Sequence, residues 1–244
     1  MNVDAMVLAA GFGRRLLPLT EETPKALVSV GGLTQLERTL RALEAGGADR
    51  IVINTHHHAD QVEAAIRERE GTATLVVSRE EPRPLETGGG LRTARNLFRL
   101  DRPILVHNVD VITGIDLPEL VSAHVSGGSL ATLAVQERAA SRYLLFDAEG
   151  LQGRLDVRSG EREETRELRG PLARLAFAGV HVMEPMVFDR MTERGAFSII
   201  DCYLRLAGEG VRIRGHDIGE TAWYEIGTPE RLAAVRERFG GAGP

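Results

Sequence analysis

Residues 5–25, from Ala5 to Lys25, read AMVLAAGFGRRLLPLTEETPK. Ala5–Ala10 is a short apolar run that stops at Gly11-Phe12-Gly13, the pattern of a buried strand running into a tight turn. Glycine lets the backbone approach a ligand and leaves amide N–H groups free to hold anions. The turn follows a strand, which is where ligands dock in open α/β sheets. A lone G-x-G carries little weight, because tight turns use it as well. Arg14-Arg15 stand where a dinucleotide-binding fingerprint has its third glycine, and no Gly-Lys-Ser/Thr follows, so neither that fingerprint nor a Walker A loop is present. What the stretch adds is cations. Arg15 comes two residues after Gly13, and Thr23-Pro24-Lys25 brings in an ammonium behind a proline that stiffens its approach. Lys25 is the one lysine among the 30 basic residues; all the others are arginine. Lysine offers a compact point charge on a flexible stem, arginine a flat fork. Two cations flanking a glycine loop suit a polyphosphate.

Outward from this stretch, strands alternate with helical spacing. Leu33, Leu36, Leu40 and Leu43 predict a helix over Leu33–Ala45, stopped by Gly46-Gly47. Arg50–Asn54, Thr74–Ser78 and Pro103–His107 read as strands, Ala59–Arg69 and Leu91–Leu100 as helices. Such alternation predicts a parallel sheet covered on both sides by helices. The second half is less regular. Leu117–Val125, Pro185–Met191, Ile199–Ala207 and Pro229–Phe239 have helical patterns, with Ser198 as an N-cap. Ser129–Gln136, Tyr143–Asp147, Arg174–Met183, Val211–Gly215 and Thr221–Glu225 read as strands, with Glu149-Gly150 as a turn. The mixed-charge run Glu161–Arg169 reads as a solvated loop or hairpin tip, and the Gly-rich Gly240–Pro244 as a frayed end. No repeat or low-complexity linker interrupts the chain, so a single domain over 1–244 is expected, its first half binding a nucleotide and its second half extending the sheet.

The composition is that of an ordinary globular protein: 244 residues, 43% hydrophobic and 27% charged. No segment approaches the roughly 20 apolar residues of a membrane helix, and no basic leader precedes Asp4, so a cytoplasmic protein with no membrane partner is expected. The single cysteine, Cys202, supplies neither an internal disulfide nor a cysteine metal cluster. A net charge of −5 gives no bulk electrostatic reason to bind nucleic acid; an anionic small molecule would need a local basic site.

The spacing G-x-G-x-R-x-x-P-x-T-x-x-x-P-K over residues 11–25 resembles the signature of the sugar-1-phosphate nucleotidyltransferases. The resemblance covers nearly the whole chain. Leu85-Glu86-Thr87-Gly88-Gly89-Gly90 resembles the family's base-recognition loop, and Val106-His107-Asn108-Val109-Asp110 its metal-binding strand end. Trp223-Tyr224-Glu225-Ile226-Gly227-Thr228-Pro229 through Leu232 resembles its closing motif. The length and the LETGGG stretch are most similar to the N-acetylmuramate-1-phosphate uridylyltransferase group, with mannose- and heptose-1-phosphate guanylyltransferases close in pattern. The resemblance implies a three-layer α/β/α, Rossmann-like nucleotide-diphospho-sugar transferase fold with a mixed central sheet. It implies Mg²⁺-dependent transfer of a nucleoside monophosphate from an NTP to a sugar 1-phosphate, releasing pyrophosphate, with UTP and an amino-sugar 1-phosphate as first choice. With such a domain filling residues 1–244, the left-handed β-helix acyltransferase module of some relatives is not expected.

On the same footing, Arg15 would hold the β- and γ-phosphates, and Lys25 the α-phosphate or the sugar phosphate. Gly11 and Gly13 would give N–H groups to the phosphates. Leu8, Ala10 and Gly88 would hold base and ribose through the main chain, with Glu86 and Thr87 shaping the pocket. Asp110 and Glu225 would ligate Mg²⁺, a hard cation content with few protein ligands. Two departures stand out: Val109 replaces the usual glycine before Asp110, and Glu225 the usual aspartate. Gly179, in Phe177-Ala178-Gly179-Val180-His181, would let the sugar approach, although a packing glycine explains it equally well. His56-His57-His58 invites a metal reading, but consecutive residues do not converge on one ion; a polar loop near the nucleotide, with Asn54 and one histidine facing it, is the better reading. Guanylyl transfer to mannose or heptose phosphate, cytidylyl transfer to phosphocholine, and an inactive nucleotide-sugar-binding module remain open alternatives. The oligomeric state is not readable.

Overall fold

The structure is a computed structural model and describes residues 3–240; residues 241–244 of the expected frayed end lie outside the described residues. Strand β1 (Val3–Leu8) enters the glycine loop, which holds helix α1 (Leu19–Glu22) and single 3-10 turns at Arg14–Leu16 and Lys25–Leu27. A ribbon of β2 (Ser29–Val30) and β3 (Leu33–Thr34) leads into α2 (Gln35–Ala45). There follow β4 (Ala48–Thr55), α3 (Ala59–Glu68), β5 (Thr74–Arg79), α4 (Glu86–Thr93), β6 (Ile104–Asn108), β7 (Val111–Thr113) and α5 (Leu117–Gly127). The second half comprises β8 (Ala131–Gln136), β9 (Arg142–Asp147), β10 (Gly150–Asp156), β11 (Arg162–Glu164) and β12 (Ala173–Met183). It closes with α6 (Met186–Arg190), α7 (Ile199–Gly208), β13 (Ile213–Asp217), β14 (Trp223–Glu225) and α8 (Pro229–Arg238).

Helix boundaries follow from caps. The Thr34 hydroxyl accepts from the Glu37 amide at 3.1 Å, so the helix expected from Leu33 begins at Gln35, and it ends at Gly46. Asp116 and Ser198 cap α5 and α7 in the same way. Leu36, Leu40 and Leu43 turn one face of α2 inward, each burial stabilising the fold by roughly 1.5–3 kcal/mol.

The central sheet runs β13-β8-β12-β6-β1-β4-β5, and β9, β10 and β11 continue from β12 along a second branch. Pairings β1–β4, β4–β5, β1–β6 and β8–β13 are parallel, while β12 is antiparallel to both β6 and β8. The sheet is therefore mixed, and its single reversed central strand is β12. Alternate residues along each strand feed opposite cores. Ala5 and Val7 of β1, Ile51 and Ile53 of β4, and Leu105 of β6 pack with α2, α3 and α5. Met6, Val52, Ile104 and Val106 pack with α4, α6 and α7. Both faces are covered, which makes the three-layer α/β architecture. No helix among the described residues is long and apolar enough to cross a membrane.

Three expectations need correction. The helix expected over Leu91–Leu100 starts at Glu86, takes in Gly88-Gly89-Gly90, and gives way to a 3-10 turn at Arg95–Leu97. The turn at Glu149-Gly150 joins β9 to a strand, β10, that the pattern does not announce, and part of the charged run 161–169 forms β11 on its edge. The last two strands start later than expected, at Ile213 and Trp223, and run over Ile213–Asp217 and Trp223–Glu225.

Candidate functional site

The chain leaves β1, builds β4 and β5 on one side, then returns to place β6 on the other side of β1. The crevice beyond the C-terminal ends of β1 and β6 is thus a topological switch point, the usual ligand position in such sheets. Two cavities open there. The smaller, about 340 Å³, is walled by the segment after β1, the start of α4 and the end of β6. The larger, about 900 Å³, lies toward β9, β10, β12 and β14. Asn108 and Asp110 line both.

The smaller cavity is framed by a rigid brace. The Asn54 carbonyl oxygen accepts from the Ala9 amide at 2.6 Å, and its amide nitrogen donates to Glu80 at 2.7 Å. The second Glu80 oxygen accepts from the Leu85 amide at 2.7 Å. Glu80 is buried and ties the end of β1 to the start of α4 through Asn54. A Cβ on Gly90 would lie 2.5 Å from the Glu80 carboxylate, so glycine there leaves room for the brace. His56 donates to the Glu80 carbonyl at 2.9 Å and His57 to the Thr20 carbonyl at 3.0 Å, while both rings contact Phe12. Two of the three consecutive histidines are therefore clamps on the glycine loop.

Leu8, Ala10, Gly11, Lys25, Asn54, Glu86, Thr87 and Asp110 all line this smaller cavity. A Cβ on Gly11 would meet nothing within 4 Å, so space for a ligand, not packing, lies above that residue. Glu86 adopts a φ of 59°, unusual for a residue with a side chain, at the rim. Two expected residues do not reach the cavity. Gly13 has a φ of 64°, and a Cβ there would strike Thr20, whose hydroxyl donates to the Gly13 carbonyl at 2.9 Å; it is a turn glycine. The Gly88 amide donates to the Phe197 carbonyl at 2.9 Å, and a Cβ there would lie 2.3 Å from the Phe197 ring. Gly88 is a packing glycine that lets α4 lie against the segment preceding α7. The Thr87 hydroxyl accepts from the Ile199 amide at 2.9 Å and reinforces that contact.

Arg15 and Glu225 are brought to the crevice by a third cluster. Leu16, Ile112 and Ile226 pack together with Leu232 and Val235, and each of the first three adjoins or pairs beside a polar group at the crevice. Leu16 carries Arg15 with it and Ile226 carries Glu225. β14 pairs with β7 so that Glu225 lies opposite Val111, and the Ile226 amide donates to the Asp110 carbonyl at 3.1 Å. Lys25 follows Pro24 and precedes the buried Ala26. Its ammonium meets Asp110 at 2.5 Å, and Arg15 meets Glu225 at 3.1 Å. Arg231 holds the other Glu225 oxygen. A Cβ on Gly227 would fall 2.2 Å from the Glu225 carboxylate and 2.9 Å from Arg15, so glycine makes that pair possible. Arg15, Glu225 and Gly179 line the larger cavity, Lys25 the smaller, and Asp110 joins them. The Lys25 side chain is 13% exposed and that of Arg15 63%, so the first is fixed and the second free to swing.

Val109 fits where a glycine was expected. Its backbone φ is not positive, its side chain is buried, and its amide continues the β1 pairing to the Leu8 carbonyl at 3.2 Å. Gly179 has a φ of 78° at an irregularity between β12 and β8, and a Cβ there would press on Val111 and Asn108. His107, beneath Asn108, is fully buried; burial pushes its pKa down, against a 2.8 Å hydrogen bond to the Asn108 carbonyl, and keeps it neutral. Among the described residues no group of three or more His, Cys, Asp or Glu could hold a metal ion. The oxygen donors Asp110, in the turn between β6 and β7, and Glu225, at the end of β14, both line the cavity, a sparse, hard set that fits Mg²⁺, which keeps most of its shell for water and phosphate. Glu80, Gly227, Arg231 and Phe197 escaped notice as site-forming residues. Only Gly227 and Arg231 had a signal, lying inside the closing motif.

A family model for nucleotidyl transferases matches residues 4–239. The chain belongs to that family. It is 34% identical to an N-acetylmuramate alpha-1-phosphate uridylyltransferase of Caulobacter vibrioides, with 96% of each chain covered. It is 28% identical to a mannose-1-phosphate guanylyltransferase of Mycobacterium tuberculosis, over 94% of this chain but 62% of that longer one. Among solved structures, the UTP-bound UGPase of Acinetobacter baumannii superposes with a TM-score of 0.80, at 17% identity, covering 100% of this chain and 95% of that one. That likeness is one of fold. The family is the one that the sequence motifs resemble, and the three-layer fold with a mixed sheet is as expected.

Proposed function

We propose that the protein catalyses Mg²⁺-dependent transfer of the uridylyl group from UTP to an amino-sugar 1-phosphate, giving a UDP-sugar and pyrophosphate. The observation that carries this reading is the pair formed by the sole lysine and Asp110, at the edge that the two cavities share. Identity to the Caulobacter uridylyltransferase over almost the full length of both chains supports the choice of base and sugar class. The nucleotide occupies the smaller cavity, its base between the end of β1 and Glu86-Thr87. The sugar phosphate occupies the larger one beside Gly179. The N-terminal half thus serves the nucleotide and the C-terminal half the sugar, within one cytoplasmic domain.

In the reaction an oxygen of the sugar phosphate attacks the α-phosphorus in line, and the bond to the β-phosphate oxygen breaks. No enzyme-bound covalent intermediate is needed; the protein brings two anions together and neutralises shifting charge. Lys25, fixed by Pro24 and the core beneath Ala26, presents its ammonium at the α-phosphate. Arg15 leaves Glu225 to meet the β- and γ-phosphates and follows the charge onto pyrophosphate. Asp110 and Glu225 would hold Mg²⁺, which supplies charge neutralisation on the phosphates when bound.

The test is pyrophosphate release from a panel of NTPs and sugar 1-phosphates in Mg²⁺. UTP with an amino-sugar 1-phosphate is the combination expected to turn over fastest. A second reading, guanylyl transfer to mannose 1-phosphate, draws on the Mycobacterium relative and would be selected by faster turnover of GTP. Binding of nucleotide sugars with no turnover in Mg²⁺ or Mn²⁺ would overturn the enzymatic reading.

A further inference from the structure

Arginines wall the acceptor side of the larger cavity, and most are neutralised. Arg15 and Arg231 share Glu225; Arg142 meets Asp156 at 3.1 Å; Arg154 meets Asp201 at 2.5 Å and Glu163 at 2.7 Å. Arg158 is exposed to solvent. Arg138 differs from all of these. It is half-buried, lines the cavity, and makes no ion pair among the described residues. One nitrogen donates to the Phe177 carbonyl at 3.0 Å, while its Nε is buried and donates to nothing. The guanidinium lies over the Trp223 ring, 3.5 Å from its centroid. Trp223 is itself pinned by a 2.8 Å hydrogen bond to the Ala178 carbonyl.

Such an arrangement is costly for the isolated fold. A guanidinium has five donors and keeps its charge, and withdrawing it from water without an anion is unfavourable. Burial lowers its pKa, Glu225 opposes that fall and Arg231 adds to it. The aromatic platform and the carbonyl fix its plane, leaving the remaining donors committed to nothing in the protein.

We propose that Arg138 binds the phosphate of the acceptor. The inference rests on the nucleotidyl-transfer reading above. An acceptor phosphate needs its own cation, because it must approach an NTP that repels it. The sole lysine is on the nucleotide side, held by Asp110, so that cation is a guanidinium. Arg138 lies over Trp223, two residues before Glu225 on β14, and lines the cavity together with Glu225 and Asp110, whereas Arg142, Arg154 and Arg158 lie on the β9–β11 side. Its planar fork can grip two phosphate oxygens at once. An acidic substituent on the sugar presents similar oxyanion chemistry and is separated by the test.

The test compares wild type, Arg138→Gln and Arg138→Lys in steady-state kinetics, with N-acetylglucosamine 1-phosphate and N-acetylmuramate 1-phosphate as acceptors. Glutamine keeps a donor for the Phe177 carbonyl and removes the charge. KM for both acceptors should rise roughly 10- to 100-fold in Arg138→Gln, with KM for the NTP within about twofold of wild type. Arg138→Lys should recover part of the loss, and it serves as the test if the glutamine variant fails to fold. An unchanged acceptor KM would overturn the assignment. A loss confined to the muramate, whose lactyl group carries a carboxylate, would overturn it in favour of that substituent. If the wild type turns over no acceptor, the nucleotidyl-transfer reading fails instead. Calorimetric binding of inorganic phosphate then decides the arginine alone: weaker binding in Arg138→Gln upholds it, and equal binding does not.

Discussion

The two cavities share Asp110 and Asn108 but are built in opposite ways. Around the smaller one, polar side chains are locked onto the main chain: Asn54 on Ala9, His56 on Glu80, His57 on Thr20, and Thr20 on Gly13. The Asn54, His57 and Thr20 bonds hold the segment after β1, and the His56 bond ties the end of β4 to Glu80. Around the larger one, the polar groups are arginines paired with carboxylates, many of them well exposed, on strands contributed from distant parts of the chain. Exposed pairs of this kind contribute little stability and rearrange cheaply. A triphosphate is the same in every NTP, so a rigid cradle serves it. Acceptors differ, and the wall that would face them on the proposed reading is the adaptable one.

The sharpest break of this contrast is at the shared point. Lys25→Ala should lower turnover by roughly two to three orders of magnitude, because it removes a fixed charge from the transition state. Lys25→Arg should not restore it, since a guanidinium cannot replace an ammonium enclosed by Pro24, Ala26 and Asp110. Pyrophosphate release at saturating substrates is the measurement, and near-normal turnover in either variant would remove Lys25 from the chemistry.

Next in size is the brace. Asn54→Ala leaves the buried Ala9 amide and one Glu80 oxygen without partners, which should destabilise the protein by about 2–4 kcal/mol in urea unfolding. Nucleotide KM should rise with it. A loss within about 0.5 kcal/mol would mean that the rigid cradle does not depend on this bond.

Two glycines, Gly11 lining the smaller cavity and Gly88 packed behind it, should then fail in different assays. Gly88→Ala drives a methyl into Phe197 and should destabilise the fold by about 1–3 kcal/mol. Gly11→Ala puts its methyl into open space, so unfolding should be unchanged while nucleotide KM rises about tenfold, as expected for a cradle partly filled. Equal stability losses in both variants would contradict the contrast between a packing glycine and a cradle glycine.

What the sequence revealed follows the same division. Local patterns carry the first half: the apolar run of β1 and the Leu36-Leu40-Leu43 stripe are legible because their signals lie within a few residues, as is the Ser198 cap in the second half, whereas the Thr34 cap that moves the start of α2 went unread. Strand β10 was hidden because Gly150–Asp156 has no clean alternation and is stabilised by pairing with β9 and β11. Three consecutive glycines argue against a helix on propensity alone. They form one because Gly88, Gly89 and Gly90 let it press against Phe197, Gly195 and Glu80, contacts made with segments remote in sequence. For the same reason the motif spacing pointed to Lys25, Arg15, Asp110 and Glu225 but not to Glu80 or Arg138, which matter through neighbours that spacing does not reveal.

The smallest effect expected is at Glu225, and it tests whether the adaptable side begins there. Both carboxylate oxygens are occupied, one by Arg15 at 3.1 Å and the other by Arg231. Glu225→Asp withdraws the carboxylate by one methylene toward β14 and away from Arg15. If Glu225 is a metal ligand, turnover should stay within about threefold of wild type while the Mg²⁺ concentration for half-maximal activity shifts, since Mg²⁺ demands near-ideal geometry but is held by few protein groups. Glu225→Ala should raise that concentration further, because Asp110 alone would then hold the ion. An unaltered Mg²⁺ requirement in the alanine variant would leave Glu225 only as the counter-charge of Arg15. The boundary between the fixed and adaptable halves would then run through Asp110 itself.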